Sequence, residues 1–299
     1  MEQGATTDLP FLPESCIVDI LSRTCTSPRH ACRLSVVSLI SRSAADSDSI
    51  WEKFFPSDIQ LILSSSVSQS LPDFSSKKEQ FLHLCDNPLL IDDGTMTFAL
   101  DKCSGKKCFM IGVTEVFIHW GHDPNSWNYR SFPESRFSEV AELLGVNWLE
   151  ICGKMETRLL SPNTTYVTYL VFKLTVLANG LQHKFRVNVN FVSDGRSRQQ
   201  GREKSVFLQR PVERKRKREL PEEREANSVP VFTENKNPVP VDEVPQERGD
   251  GWMEIDMGEF FNKRGEYEEV EMKLVDLDNR YSKSGLIIQG IELRPKVNQ

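Results

Sequence analysis

The chain has 299 residues, 37 Lys and Arg against 43 Asp and Glu for a formal net charge of −6, and 38% hydrophobic residues. That length and apolar content suffice for two domains with cores of their own and speak against a disordered chain, and the net negative charge argues against one committed along its length to nucleic acid or anionic membrane. Seven cysteines, Cys16, Cys25, Cys32, Cys85, Cys103, Cys108 and Cys152, form an odd set without a repeating spacing, so reduced thiols in cytoplasm and nucleus are expected. Residues 1–12 lack the charge and apolar run of a secretory signal, and no apolar run is long enough to span a bilayer; a soluble, intracellular chain is expected.

The first segment, residues 8–57, reads as three short helices. Pro13 opens the first, with Cys16, Ile17, Ile20 and Leu21 on one face. Ser27-Pro28 caps and opens the second, ahead of Ala31, Cys32 and Leu34. The third carries Ile50, Trp51 and Phe54 and stops at Pro56. A serine-rich stretch follows, and Ser76-Lys77-Lys78-Glu79 is a capping box that begins a bridging helix, so residues 58–104 read as linker and bridge.

From about Gly105 the period changes from helix to strand. Phe185-Arg186-Val187-Asn188-Val189-Asn190-Phe191 alternates apolar and polar residues, the pattern of a strand with one buried face. Similar β-rich runs occupy Cys108–Trp120, Trp148–Ile151, Tyr166–Leu177, Trp252–Met257, Val270–Val275 and Leu286–Leu293. One helix is predicted among them, because Phe137, Val140, Ala141 and Leu144 recur at helical spacing before Gly145. Residues 194–250 are charged and proline-containing and read as an insertion within this second domain. The predicted fold is α+β and multidomain: a three-helix module, then an antiparallel β-sandwich over residues 105–299.

The segment Leu12-Pro13-Glu14-Ser15-Cys16-Ile17-Val18-Asp19-Ile20-Leu21, with Ser27-Pro28-Arg29, Arg33-Leu34-Ser35-Val36-Val37 and the late Trp51, closely resembles an F-box. The resemblance implies docking on the Skp adaptor of a cullin-containing ubiquitin ligase through Leu12, Pro13, Ile17, Ile20, Leu21, Leu34 and Val37. Elementary physics leaves two roles open for these residues, core of the module or partner surface, and a module of this size cannot bury all its apolar surface alone.

The second half, through Ser104-Gly105-Lys106-Lys107-Cys108, Pro133-Glu134-Ser135-Arg136-Phe137, Trp148-Leu149-Glu150-Ile151, Tyr169-Leu170-Val171-Phe172-Lys173, Gly251-Trp252-Met253-Glu254-Ile255, Gly258-Glu259-Phe260-Phe261-Asn262 and Gly285-Leu286-Ile287-Ile288-Gln289-Gly290, resembles the phloem protein 2 family of plants, which includes Nictaba-like lectins. The resemblance implies a jelly-roll-like sandwich that binds N-acetylglucosamine oligomers or N-glycan cores. It assigns sugar contact to Trp120 and Trp127, on either side of the turn at Pro124-Asn125, and a polar contact to Glu269. The chain departs from that pattern at Ser126, where an aromatic residue is more usual, and at Tyr129, where tryptophan is. Flat apolar ring faces against pyranose C–H groups, with a few hydrogen-bonding groups, are what sugar binding requires. Burial of both rings in the core is the alternative, and core packing is expected for Trp148 and Trp252.

Arg214-Lys215-Arg216-Lys217-Arg218 has the composition of a nuclear-localisation signal, although Glu219, Glu222, Glu223 and Glu225 follow at once. No cofactor or metal is expected: neither His119, His122 and Asp123 nor Cys103 and Cys108 complete a zinc pattern. No nucleophile elbow, phosphate loop or paired catalytic carboxylate motif occurs. The expectation is a non-catalytic substrate receptor that bridges a Skp–cullin–F-box ligase and an N-acetylglucosamine-containing glycan or glycoprotein, without membrane or nucleic-acid partners. The alternatives are a lectin acting apart from any ligase, and an adaptor that recognises protein cargo.

Overall fold

A computed structural model describes residues 13–67, 72–193, 196–199, 203–211, 244–263, 269–278 and 280–296. Leu12 and the basic run Arg214, Lys215, Arg216, Lys217 and Arg218 lie outside them.

The helical part is divided more finely than its sequence suggests: α1 (Glu14–Thr24), α2 (Pro28–Leu34), α3 (Leu39–Ala45), α4 (Asp48–Trp51), α5 (Ile59–Ser64) and α6 (Lys77–Asp86). Serine caps set several of these starts. Ser27 accepts from the His30 amide with Pro28 at the first position, and Ser38 accepts from Ser41. Ser76 accepts from Glu79, whose carboxylate in turn accepts from the Ser75 amide at 2.8 Å. Each cap satisfies a backbone donor that the first turn leaves free. Trp51 is fully buried, donates its indole N–H to the Ala45 carbonyl at 2.8 Å and packs edge-on against Phe54. Phe81 of α6 completes that aromatic cluster, so the bridging helix belongs to the same core as the N-terminal helices.

Among the described residues the sandwich is formed by β1 (Leu89–Ile91), β2 (Met96–Leu100), β3 (Lys107–Gly112), β4 (Phe117–Ile118), β5 (Trp127–Arg130), β6 (Val140–Leu143), β7 (Glu150–Glu156), β8 (Thr164–Asn179), β9 (Lys184–Ser193), β10 (Arg196–Gln199), β11 (Lys204–Phe207), β12 (Gln246–Glu247), β13 (Met253–Asn262), β14 (Glu269–Asp276) and β15 (Ser284–Pro295). The first sheet runs β1-β2-β3-β15-β8-β13-β12, with β6 beside β15 and β5 beside β6; the second runs β10-β9-β14-β7-β4, with β11 also beside β9. Every pairing is antiparallel. Phe185, Val187, Val189 and Phe191 face inward from β9 and Val270, Met272 and Leu274 from β14. The alternation legible in the sequence is thus the alternation of the second sheet.

Three expectations are corrected. The stretch read as a helix is strand β6, because Ala141 and Leu143 enter the main core while Val140 joins a second cluster with Phe137, Met110 and Trp252 on the opposite face. Covered on both faces, the strand reads as a continuous apolar run, and helical spacing arises within such a run by default. The sheet also begins before Gly105, since β1 and β2 already pair. The charged stretch 194–250 supplies β10, β11 and β12 to the sheets, strands held by ladder hydrogen bonds to β9 and β13 that need little apolar sequence of their own.

Helices and sandwich share one continuous core, from Ile17 through Phe81 to Leu293. Gly105, at φ +72°, lets the β2–β3 turn close on the helices: a Cβ there would lie 2.9 Å from the Phe54 carbonyl oxygen. Beside it the buried Lys107 reaches Asp58 at 2.8 Å.

Candidate functional site

The loop from β4 to β5 is built around a turn at Asp123. Its backbone carbonyl accepts from the amides of Ser126 and Trp127, and its carboxylate from the Ser126 hydroxyl at 2.6 Å and the Asn125 amide at 3.1 Å. These bonds, Ser126 first, hold the Asp123 carboxyl below its ordinary value. The departure at Ser126 is therefore a structural choice, a hydroxyl that ties the turn. The same loop separates the two tryptophans. Trp127 is 2% exposed and donates its indole N–H to the His119 carbonyl at 3.2 Å. Trp120 is 60% exposed, sits at φ +60°, and stands edge-on to the His119 ring. Only Trp120 of the pair offers a ring to a ligand; Trp127 anchors the loop that presents it.

The polar neighbour of Trp120 is not Glu269. Directly opposed residues of antiparallel strands share a face. Phe117 opposes Cys152, Cys152 opposes Lys273, and Lys273 opposes Asn188, so these four form one row on the outer face of the second sheet. The next row toward the loop contains Glu150, Val275 and Arg186, and the His119 amide bonds to the Glu150 carbonyl at 3.0 Å. Glu150 pairs with Lys273 at 2.5 Å and receives the Trp148 indole N–H at 3.5 Å. The hydrogen bond from Lys273 is the main cause holding the Glu150 carboxyl below its ordinary value, so it is a charged acceptor at neutral pH. Glu269 opposes Glu156 at the far end of β7 and pairs with Lys154 at 3.2 Å. Six residues of strand, about 20 Å, separate that end from Glu150.

The candidate binding surface is therefore Phe117 (59% exposed), Trp120, the half-buried Trp148, Glu150 and Lys273. Trp252 is buried as expected, edge-on to Phe132, whereas Trp148 is only half-buried, beside the Glu150 carboxylate that its indole N–H reaches. The signal for Glu150 was present in the alternation Glu150, Cys152, Lys154, which puts all three on one face of β7, with Trp148 two residues before it; the register that sets Lys273 beside Glu150 was not.

On the helices, Ile17 and Leu21 belong to the internal core and Leu34 is half-buried against it. Ile17 and Leu21 thus take the core role, one of the two that the sequence left open. Pro13, Ile20 and Val37 are exposed, and Val36, Leu39 and Ile40, absent from the expected set, join them on or beside α3, against which α1 packs. Among the described residues no three His, Cys, Asp or Glu side chains are grouped to hold a metal, and no helix is long and apolar enough to cross a membrane.

Comparison with known proteins agrees with this division. The profile of the family described as Phloem protein 2 matches residues 106–295. From Arabidopsis thaliana, F-box protein At2g02240 is 40% identical over 98% of this chain and 82% of its own length, F-box protein PP2-B10 is 38% identical over 96% and 94%, and F-box protein VBF is 38% identical over 96% and 99%. Among solved structures, a family 16 carbohydrate-binding module is 13% identical over 57% of this chain and 89% of its own, with a TM-score of 0.28, a likeness too slight to bear on function. Identity on that scale across helices and sandwich together, with the family profile covering nearly the whole sandwich, makes this chain a member of the phloem protein 2 family and one of its F-box proteins.

Proposed function

We propose that this chain is the substrate receptor of a Skp–cullin–F-box ubiquitin ligase, its helices docking on the Skp adaptor and the aromatic end of its sandwich holding a glycan, of the N-acetylglucosamine type, on the cargo. The observation that carries the first half is the exposed aliphatic face of the helices. Ile20, Val36, Val37 (71% exposed) and Leu39 (83% exposed) stand in solvent while neighbouring Ile17, Leu21 and Ala31 are buried. A module that already has a filled core gains nothing from such a face unless a partner covers it. For the second half, Trp120 and Phe117 supply apolar ring surface, and Glu150 and Lys273 supply an acceptor and donors for hydroxyl and acetamido groups. No bond needs to be made or broken here: holding the cargo beside the loaded conjugating enzyme raises the effective concentration of its lysines.

Capture of the full chain on immobilised Skp adaptor tests the docking half. Changing Val37 and Leu39 together to Asp is expected to abolish capture without lowering Tm, since both side chains lie outside the core. Capture unaffected by the double change would remove this face from the proposal.

A further inference from the structure

The proposed glycan surface occupies only one side of its end of the sandwich. Beyond Val275, which opposes Glu150, the Asp276 amide still bonds the Leu149 carbonyl, and Leu277, the next residue, is exposed at the end of β14. The chain then turns to Tyr281, which is 44% exposed and lies flat on His183, ring centroids 4.1 Å apart and planes 9° from parallel. The exposed Arg280 stands at 5.8 Å from the Tyr281 centroid and pairs with the half-buried Asp278. His183 leads directly into β9.

This aromatic pair is held in place with respect to the Trp148 strand. Lys283 is fully buried and ion-paired with the buried Asp276; its ammonium donates to the carbonyls of Asn147 at 2.9 Å, Asp278 at 2.7 Å and Tyr281 at 2.9 Å. Val146 and Lys283 exchange backbone hydrogen bonds at 3.0 and 2.7 Å. One side chain thus ties the backbone carrying Tyr281 to the segment that enters β7, the preorganisation that a binding platform requires. Across the sheet, from β4 through β7 and β14 to β9, three inter-strand steps amount to about 14 Å. That span exceeds one pyranose ring.

We propose that Tyr281, backed by His183, is a second sugar-stacking platform, and that the ligand is an oligosaccharide lying across the strands from Trp120, past Trp148 and Leu277, to Tyr281. Arg280 and Asp278 at the platform's rim offer a donor and an acceptor to ring hydroxyls. This rests on the glycan reading above and extends it from a single stacking site to a paired one.

Calorimetric titration of the full chain with N-acetylglucosamine and with its β-1,4-linked oligomers of increasing length tests it. Affinity is expected to rise with oligomer length. Tyr281→Ala is expected to lower oligomer affinity about tenfold while leaving the monosaccharide unchanged, whereas Trp120→Ala lowers both. Tyr281→Phe, which keeps the ring, should retain oligomer affinity, and unchanged Tm for Tyr281→Ala would show the fold intact. If Tyr281→Ala binds oligomers like the parent while Trp120→Ala does not, the second platform is wrong and the glycan reading stands. Equal losses for monosaccharide and oligomer in Tyr281→Ala would also overturn the second platform. If the parent binds neither sugar, the glycan reading falls and takes the second platform with it.

Discussion

Trp120 and Trp127 show how two residues that look alike in a sequence come to do opposite things. Both flank the same polar turn, and the sequence offers no reason to rank them. The difference is made by the Asp123 turn, which folds Trp127 back so that its indole bonds the His119 carbonyl and forces Trp120 outward at positive φ. Trp127→Ala is therefore expected to cost about 3–5 kcal/mol of stability, as removal of a large buried aromatic does. Trp120→Ala is expected to leave stability within about 0.5 kcal/mol, as exposed positions do, and to lower glycan affinity. Denaturant unfolding beside a glycan titration separates the two; destabilisation by Trp120→Ala with binding intact would reverse the assignment. Glu269 lies apart from Trp120 for a related reason. Its place in the alternation of β14 was legible, but which residue of β7 it opposes was not, and that pairing puts it at the other end of the strand from Glu150.

At the scale of elements, the strands that alternate were readable and those that do not were hidden. β9 and β14 carry one buried face each and announced themselves; β6, buried on both faces, imitated a helix, and β10 and β11 lie in sequence too polar to suggest order. The serine caps of α2 and α6 were legible because capping is local chemistry. The loop from Leu277 to Lys283 was not, because what holds it is a lysine in the interior, and a lysine in a sequence reads as surface. Lys283→Met retains the length of the side chain but strands the buried Asp276 without its counter-charge. A loss of about 3–5 kcal/mol is expected, the usual consequence of removing one partner of a buried pair. Converting Asp276 to Asn in the same chain should recover part of that loss, and a double-mutant cycle in urea measures the coupling. Additive losses would mean that the ion pair is not what binds this loop to the Val146 segment.

For the molecule as a whole, the two resemblances in the sequence suggest two domains joined by a linker, and the packing argues for one cooperative unit. Phe81 of the bridging helix sits among Trp51, Phe54 and Phe55, while Gly105 of the β2–β3 turn lies hard against Phe54 and Lys107 pairs with Asp58 across the same boundary. Apolar residues of both parts belong to a single buried cluster. Were the helices free to melt alone, Trp51, Phe54 and Phe81 would be exposed together, at a cost of about 1.5–3 kcal/mol for each large apolar side chain. Thermal unfolding followed by far-UV circular dichroism, which sees both parts, and by near-UV dichroism of the tightly packed aromatics is expected to give coincident transitions. A helical transition at lower temperature than the sandwich's would show that the boundary is a hinge. The distinction bears on the proposed function, because a receptor melted into two tethered bodies would let its cargo wander, whereas a rigid one fixes the vector from the aliphatic face of the helices to the aromatic end of the sandwich. In the proposed complex a fixed vector concentrates the cargo's lysines in one region of space and restricts which of them are reached.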